Sequence, residues 1–487
     1  MSLYLGIDFG TSTNYITRWD QEKRTVVPVC PSKMAQYASH RNWFPNVIYY
    51  EANGNKVVGS TAQIQGIRYP DSAVFSVKRE IGTQWTKQIR NTGKTVGAFE
   101  VCRDIFNVIN NNIREDFGGA LIDGVVITVP YAYQHRERSL IQKAANAAGL
   151  HVIRLLEEPV AAALAQSVFS QDQDAAPRKV LIFDLGGGTL DVTVFEFSKQ
   201  DGVFVIEVLN TAGHKKLGGD DIDEKLKTKL VEDALKIDLE EQDPLKNQEM
   251  LKEAREAKEA LSEEEDYEMY LEYGAHDVDW QFTRETLGSL VDSEFRSKIY
   301  DVLDDAVFDA GLEEGDIDEV VLVGGSTNVP AIRALVENYF GRPLLKNRKD
   351  PEVLVGEGAG LYCGMEINGI ANLRIIQKVS HAIGVKSGGK MKPLLQRNSL
   401  YQKFSEKEFF TLNRDPRSGM NTGIDIYQGN SARIETCTKI GRIAVNLMDF
   451  PDGKIGIRLG TDESGIVLYE LYNSSGQCVE QDQLSEK

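Results

Sequence analysis

GIDFGTST at residues 6–13 and IFDLGGGT at residues 182–189 follow one plan: an apolar strand ends in a carboxylate, Asp8 or Asp184, and a Gly-rich turn with hydroxyls follows. Glycine lets backbone N–H groups approach oxyanions, and a strand-end carboxylate suits a hard cation such as Mg²⁺. Two copies predict a cleft with one phosphate-holding hairpin on each wall. After the first hairpin, YITRW (15–19) reads as a strand and 98–115 as a helix. VVITV (125–129) reads as a strand stopped by Pro130, and 136–149 as an amphipathic helix ending in Gly. Residues 154–158 suggest a short strand, and Pro159 opens an Ala-rich helix. Polar 171–179 joins the two halves, after which the pattern restarts: a long hairpin over 179–197, a strand over 203–213, and helical spacing over 225–262. Acidic SEEEDYE (262–268) reads as a solvated turn. VVLVGG (320–325) leads through a Gly turn into a helix ending at Gly341.

Past about residue 370 the character changes to short alternating runs separated by GG, DPRSG, PDG and DESG turns, the pattern of antiparallel all-β structure. The expected organisation is an α/β nucleotide-binding domain over 1–369, a linker over 370–378 and a β domain over 379–487. A chain of 487 residues supports such a division. The net charge of −18 disfavours non-specific binding to nucleic acid or anionic membranes. Five cysteines without CxxC spacing read as reduced thiols. The chain enters a strand at once, which leaves no room for a signal peptide, and no apolar window reaches membrane-spanning length. A cytoplasmic location is the expectation.

Each motif alone is weak; their order is specific. Asp8 to Thr13, Asp184 to Asp191 and Gly324-Gly325-Ser326-Thr327 occur in the order of the phosphate-1, phosphate-2 and adenosine motifs of actin-fold ATPases. KLGGDDID (216–223), ITVP (127–130) and EEPVAAA (157–163) narrow the resemblance to the DnaK-type, 70-kDa heat-shock chaperone family. That resemblance implies an actin-like ATPase domain of duplicated ribonuclease-H-like units, followed by a β-sandwich that holds extended peptide.

It also implies residue roles. Asp8 and Asp184 would hold Mg²⁺ largely through water. Gly10, Thr11, Ser12, Thr13, Gly186, Gly187 and Gly188 would contact phosphates. Thr189 would lie near the γ-phosphate, and Asp191 near metal and attacking water. Lys78 matches the family's catalytic lysine, although a lysine in such a segment is ordinarily a solvated charge. Glu158 matches a carboxylate that senses phosphate and metal; it also suits a helix start. Pro130 and Arg138 match a relay of nucleotide state. Gly218, Gly219, Lys258, Ser262, Gly324, Gly325 and Ser326 match positions around ribose and base, and Glu352 replaces the family's usual Asp at a similar place. Asn328 replaces an arginine that stacks on adenine, and Arg255 replaces a glutamate near the ribose, so an altered purine grip is expected. ATP or ADP with Mg²⁺, and K⁺ as a further ion, are the implied cofactors.

In the β domain, Val385, Phe410, Thr422 and Ile424 fall where the resemblance places a peptide pocket. Ordinary sandwich core explains Val385, Phe410 and Ile424 equally well. Residues after the sandwich are too few for the family's helical lid, which implies fast peptide release. The linker, Leu373-Arg374-Ile375-Ile376-Gln377, departs from the family's leucine run ending in Asp, which puts ATP-driven docking in question. The implied partners are an extended peptide client, a J-domain co-chaperone and a nucleotide-exchange factor, with no nucleic acid or membrane. The leading expectation is a slow ATPase that couples nucleotide state to peptide binding. The alternative is a non-enzymatic regulatory or scaffold protein that binds ATP structurally and docks partners through its β domain.

Overall fold

A computed structural model describes residues 2–34, 42–167, 177–201, 203–235, 244–273, 276–345, 350–368, 373–412 and 421–485. One strand plan occurs twice. Leu3–Phe9, Thr13–Asp20 and Thr25–Pro28 form an antiparallel meander, and on the other side of Leu3–Phe9 lie Ile122–Val129 and Val152–Glu157, both parallel to it. Arg178–Leu185, Leu190–Gln200 and Val203–His214 repeat the meander, with Glu319–Val323 parallel to Arg178–Leu185. The parallel strands are covered on both faces, so they read as continuous apolar runs rather than alternations. Val125, Val126, Ile127 and Val129 are all fully buried.

Contacts divide the chain into two compact units. One comprises Met1–Ala132 with Lys143–Arg374, the other Tyr133–Gln142 with Ile375–Lys487. Within the first, helix Leu354–Asn368 lies against strand Leu3–Phe9 and helix Glu158–Ser167. Its glycines permit that approach: a Cβ on Gly358 would sit 1.8 Å from the Ala161 carbonyl oxygen. A second core, with Leu226, Met250, Phe282, Leu303 and Val336, lies beneath the second meander.

Two expectations need correction here. The helical stretch over 225–262 starts earlier, at Gly219, and is broken: Gly219–Leu230, a π-turn over Val231–Leu235, then Pro244–Ala260, with 236–243 outside the described residues. The acidic 262–268 segment is a turn only in its first half. Asp266–Tyr273 pairs with His276–Thr283 as an antiparallel ribbon. Its charges fall at alternate positions, so Met269 and Phe282 reach the core while Asp266 and Glu268 face outward.

The second unit contains two four-stranded antiparallel sheets. One runs in the order Lys390–Leu395, Ile383–Ser387, Asn421–Gln428, Thr438–Asn446; the other Glu408–Thr411, Lys454–Thr461, Val467–Tyr472, Cys478–Gln483. Ile426, Ile443, Ile455, Leu459, Val467 and Leu471 are among the side chains that fill the core. The GG turn is a two-residue hairpin with φ of +56° at Gly388 and +79° at Gly389, which glycine adopts without a Cβ penalty. The expected DPRSG turn lies outside the described residues. So do linker residues 370–372, whereas Leu373–Ile376 is a short strand. Arg374 Nη2 donates to Gln200 Oε1 at 2.7 Å.

Candidate functional site

The strand plan brings the two carboxylate-ended strands into one cleft of the first unit. Asp184 and Asp191 are direct partners across the second hairpin, so their side chains leave on one face. Like charges placed this way repel. Asp8 accepts a 2.9 Å hydrogen bond from Thr128 Oγ1 on the neighbouring parallel strand. Lys78, in the short 3₁₀ turn Val77–Glu80, donates to Glu158 Oε1 at 2.5 Å, and Glu158 opens its helix. Lys78 is 3% exposed and Glu158 8%, so this is a buried ion pair rather than the solvated lysine its segment ordinarily suggests.

Negative charge outweighs positive here. Burial, and then the Glu158 carboxylate, push the Asp8 carboxyl up to about 7, against partial relief from Lys78 and Thr128. Asp191 is likewise pushed up to about 7 by burial and then Glu158, with the Ala132 backbone, Lys78 and Thr189 acting the other way. Asp184 is raised well above the usual carboxylate range by burial, then by Glu158, Asp191 and Asp8. Asp191 Oδ1 is buried with no hydrogen-bond partner among the described residues. Such a set calls for a cation. Among the described residues no three His, Cys, Asp or Glu side chains are grouped to ligate an ion directly. Asp8, Asp184 and Asp191 would suit Mg²⁺, a hard cation that takes oxygen ligands and keeps part of its water shell.

The two hairpins approach each other closely. A Cβ on Gly187 would lie 2.0 Å from Ser12 Oγ, and one on Gly188 would lie 2.9 Å from Thr11 Oγ1, so glycine is required at both positions. Gly219 N donates to Gly186 O at 2.9 Å, and Ser326 Oγ donates to the same oxygen at 2.9 Å. Gly218, Gly219, Ser326 and the second hairpin thus form one connected floor. Gly324 has φ +83° and closes on the end of Arg178–Leu185, where a Cβ would meet Leu185 O at 2.4 Å. Lys258 Nζ pairs with Asp223 at 2.6 Å and donates to Gly219 O at 3.1 Å; Ser262 Oγ donates to Lys258 O at 3.1 Å. Asn328 and Gly325 are exposed, and Asn328 Nδ2 reaches Glu352 Oε1 at 3.4 Å. Gly10 belongs to the first turn, and Thr13 opens the strand Thr13–Asp20 with its side chain exposed.

A family model described as Hsp70 protein matches residues 4–483. The chain belongs to the Hsp70 family. It is therefore a chaperone-type, ATP-binding protein with an actin-like ATPase domain and a β-sandwich, in a family whose members generally hydrolyse ATP and bind ATP or ADP with Mg²⁺. Among the described residues no helix is long and apolar enough to cross a membrane.

Of the remaining sequence-marked positions, Arg138, Val385, Phe410, Thr422 and Ile424 belong to the second unit. Pro130 is buried at the end of strand Ile122–Val129. Arg138 packs within the second unit, donating to Tyr133 O at 2.8 Å and to Ser464 O at 3.1 Å. Val385 is in the sandwich core, while Phe410 and Ile424 pack half-buried against it. Thr422 is half-buried on the Ile424 strand. Phe410 also lines a shallow cavity with Phe409, Thr411, Lys454 and Ser474. The sequence reading missed Thr128, Ser76, Arg79, Asp220 and Asp221. Arg79 donates to Asp221 at 2.5 Å and to Gly188 O at 3.1 Å. The signals available for these residues were nearness to Lys78 for Ser76 and Arg79, and membership of the ITVP and KLGGDDID motifs for Thr128, Asp220 and Asp221.

Proposed function

We propose that this Hsp70-family chain binds Mg²⁺ and ATP between the two hairpins, hydrolyses ATP slowly, and lets nucleotide state govern the grip of its β-sandwich on extended peptide. The observation that carries the reading is the half-buried Asp8 with the buried Asp184 and Asp191 beside the Lys78–Glu158 pair. Glycine N–H groups of both hairpins, with the Thr11 hydroxyl and the Ser12 backbone N–H, bind phosphate oxygens. Mg²⁺, when bound, neutralises charge on those oxygens. Lys78 donates toward the terminal phosphoryl group, and Glu158 holds the lysine in place. Asp191, which faces Asp184 across the second hairpin, orients the attacking water and takes its proton. The water oxygen bonds to the terminal phosphorus as the bond to the bridging oxygen breaks, and ADP leaves with that electron pair. Gly218, Gly219, Lys258, Ser262, Gly324, Gly325, Ser326, Asn328 and Glu352 serve the nucleoside side.

Steady-state ATP turnover of the wild type beside Lys78→Ala and Thr189→Ala tests this directly. Each substitution is expected to lower turnover by roughly tenfold to a thousandfold, the range for removing one transition-state contact. Turnover that neither substitution changes would overturn the hydrolytic reading. It would leave the alternative, an ATP-binding docking protein.

A further inference from the structure

Asp220 joins four separate pieces of the cleft. Its Oδ1 accepts Ser12 Oγ from the first hairpin at 2.9 Å and Arg255 Nη2 at 3.1 Å. Its Oδ2 accepts Ser76 Oγ, two residues before Lys78, at 2.9 Å. Its backbone N–H donates to Gly187 O of the second hairpin at 2.8 Å. Arg255 also donates from Nε to Asp223 Oδ2 at 3.0 Å, so its planar fork spans two carboxylates of one helix and fixes Asp220 in place. Burial is substantial, with the Asp220 side chain only 14% exposed. Ser76 supplies an independent sign of constraint. It has φ +48°, ψ +35°, a left-handed conformation that a non-glycine residue keeps only when its surroundings hold it there.

We propose that Asp220, oriented by Arg255, is the positioning residue that holds the cleft shut and so sets how long nucleotide stays bound. It ties Ser12 and the Lys78 turn to the second hairpin. Opening the cleft requires these bonds to break together, whereas nucleotide contacts can be remade one at a time. The inference rests on the nucleotide-binding reading above.

The test is release of radiolabelled ADP from the full chain, with Mg²⁺, during a chase of unlabelled ADP. Asp220→Ala is expected to speed release about tenfold and Ser76→Ala about threefold. Ser76→Ala should add nothing in the Asp220→Ala background, because the shared bond is already gone. Asp220→Asn, which keeps an acceptor oxygen but loses the charge that Arg255 grips, should fall between wild type and Asp220→Ala. Wild-type ADP binding with unchanged release in Asp220→Ala, or strictly multiplicative effects of the two changes, would overturn the latch while leaving nucleotide binding intact. Absence of saturable ADP binding by the wild type would overturn the nucleotide reading, and the latch with it.

Discussion

At the scale of single residues, the cleft carries more negative charge than its own cations offset, and this has a consequence for pH. Asp8 and Asp191 titrate near 7 in the folded chain, against a usual value of 3.8. A carboxylate raised on folding binds its proton more tightly when folded. Metal-free protein is therefore stabilised most below the unfolded value and loses that share of stability as pH rises from about 4 through 7. Asp8→Asn carries no charge at any pH. In the presence of a chelator its free energy of unfolding should exceed that of the wild type at pH 8, by about 1–3 kcal/mol, and match it near pH 4. Equal free energies at pH 8 would mean that the aspartate is not strained by its surroundings. The same substitution should weaken ATP turnover, the trade-off expected where function stores unfavourable charge. Asp8, Asp184, Lys78 and Glu158 were all visible in the sequence as motif members. Their charge imbalance was not, because it depends on burial and on which carboxylates share a face.

At the scale of elements, glycine does two different jobs, and the two should differ in cost. Gly341 ends helix Pro330–Phe340 with φ +60° and has no atom within 4 Å of where a Cβ would lie. Gly341→Ala then meets only the conformational penalty, about 1 kcal/mol. Gly358 lies mid-helix, with backbone 1.8 Å from its absent Cβ, so Gly358→Ala must push helix Leu354–Asn368 off its neighbour. About 2–4 kcal/mol is expected, read as a shift in the denaturant midpoint. Similar costs for both would show that the close helix contact is wrong. Gly341 was legible as a helix stop because C-terminal glycine is a local signal. The glycines of LVGEGAGLYCG carried no comparable local meaning, since what they accommodate is another chain segment. The ribbon Asp266–Thr283 was missed for a related reason. Its acidic face resembles a solvated turn until the opposite face is seen to be buried.

At the scale of the whole molecule, His135 shows how far apart in sequence a unit's members can be. Residues Tyr133–Gln142 belong to the second compact unit, although the chain around them belongs to the first. His135 is 1% exposed; its Nδ1 accepts from Val467 N at 3.1 Å, and its Nε2 lies 3.2 Å from Leu484 O. His135→Ala in the full chain leaves a buried N–H and a buried carbonyl without that partner. The sandwich transition in thermal unfolding should lose about 2 kcal/mol, with little change in a separate transition of the first unit. If nucleotide state governs the sandwich, peptide should bind more weakly with ATP than with ADP. Equal affinities would separate the two activities and favour a docking role.

The sequence by itself determined the two Gly-rich hairpins, most of the strands and helices around them, the β-rich final part and the family. These are short-range properties: apolar periodicity, turn glycines and motif order lie within a few residues of one another. Tertiary structure alone decided that Asp220 meets Ser12 and Ser76, that Arg255 bridges two carboxylates, and that Tyr133–Gln142 packs with residues far along the chain. The Ser12–Asp220 bond joins positions 208 residues apart. Nothing in local propensity encodes such a pairing. It exists because the duplicated meander returns the chain to the same cleft from the opposite side.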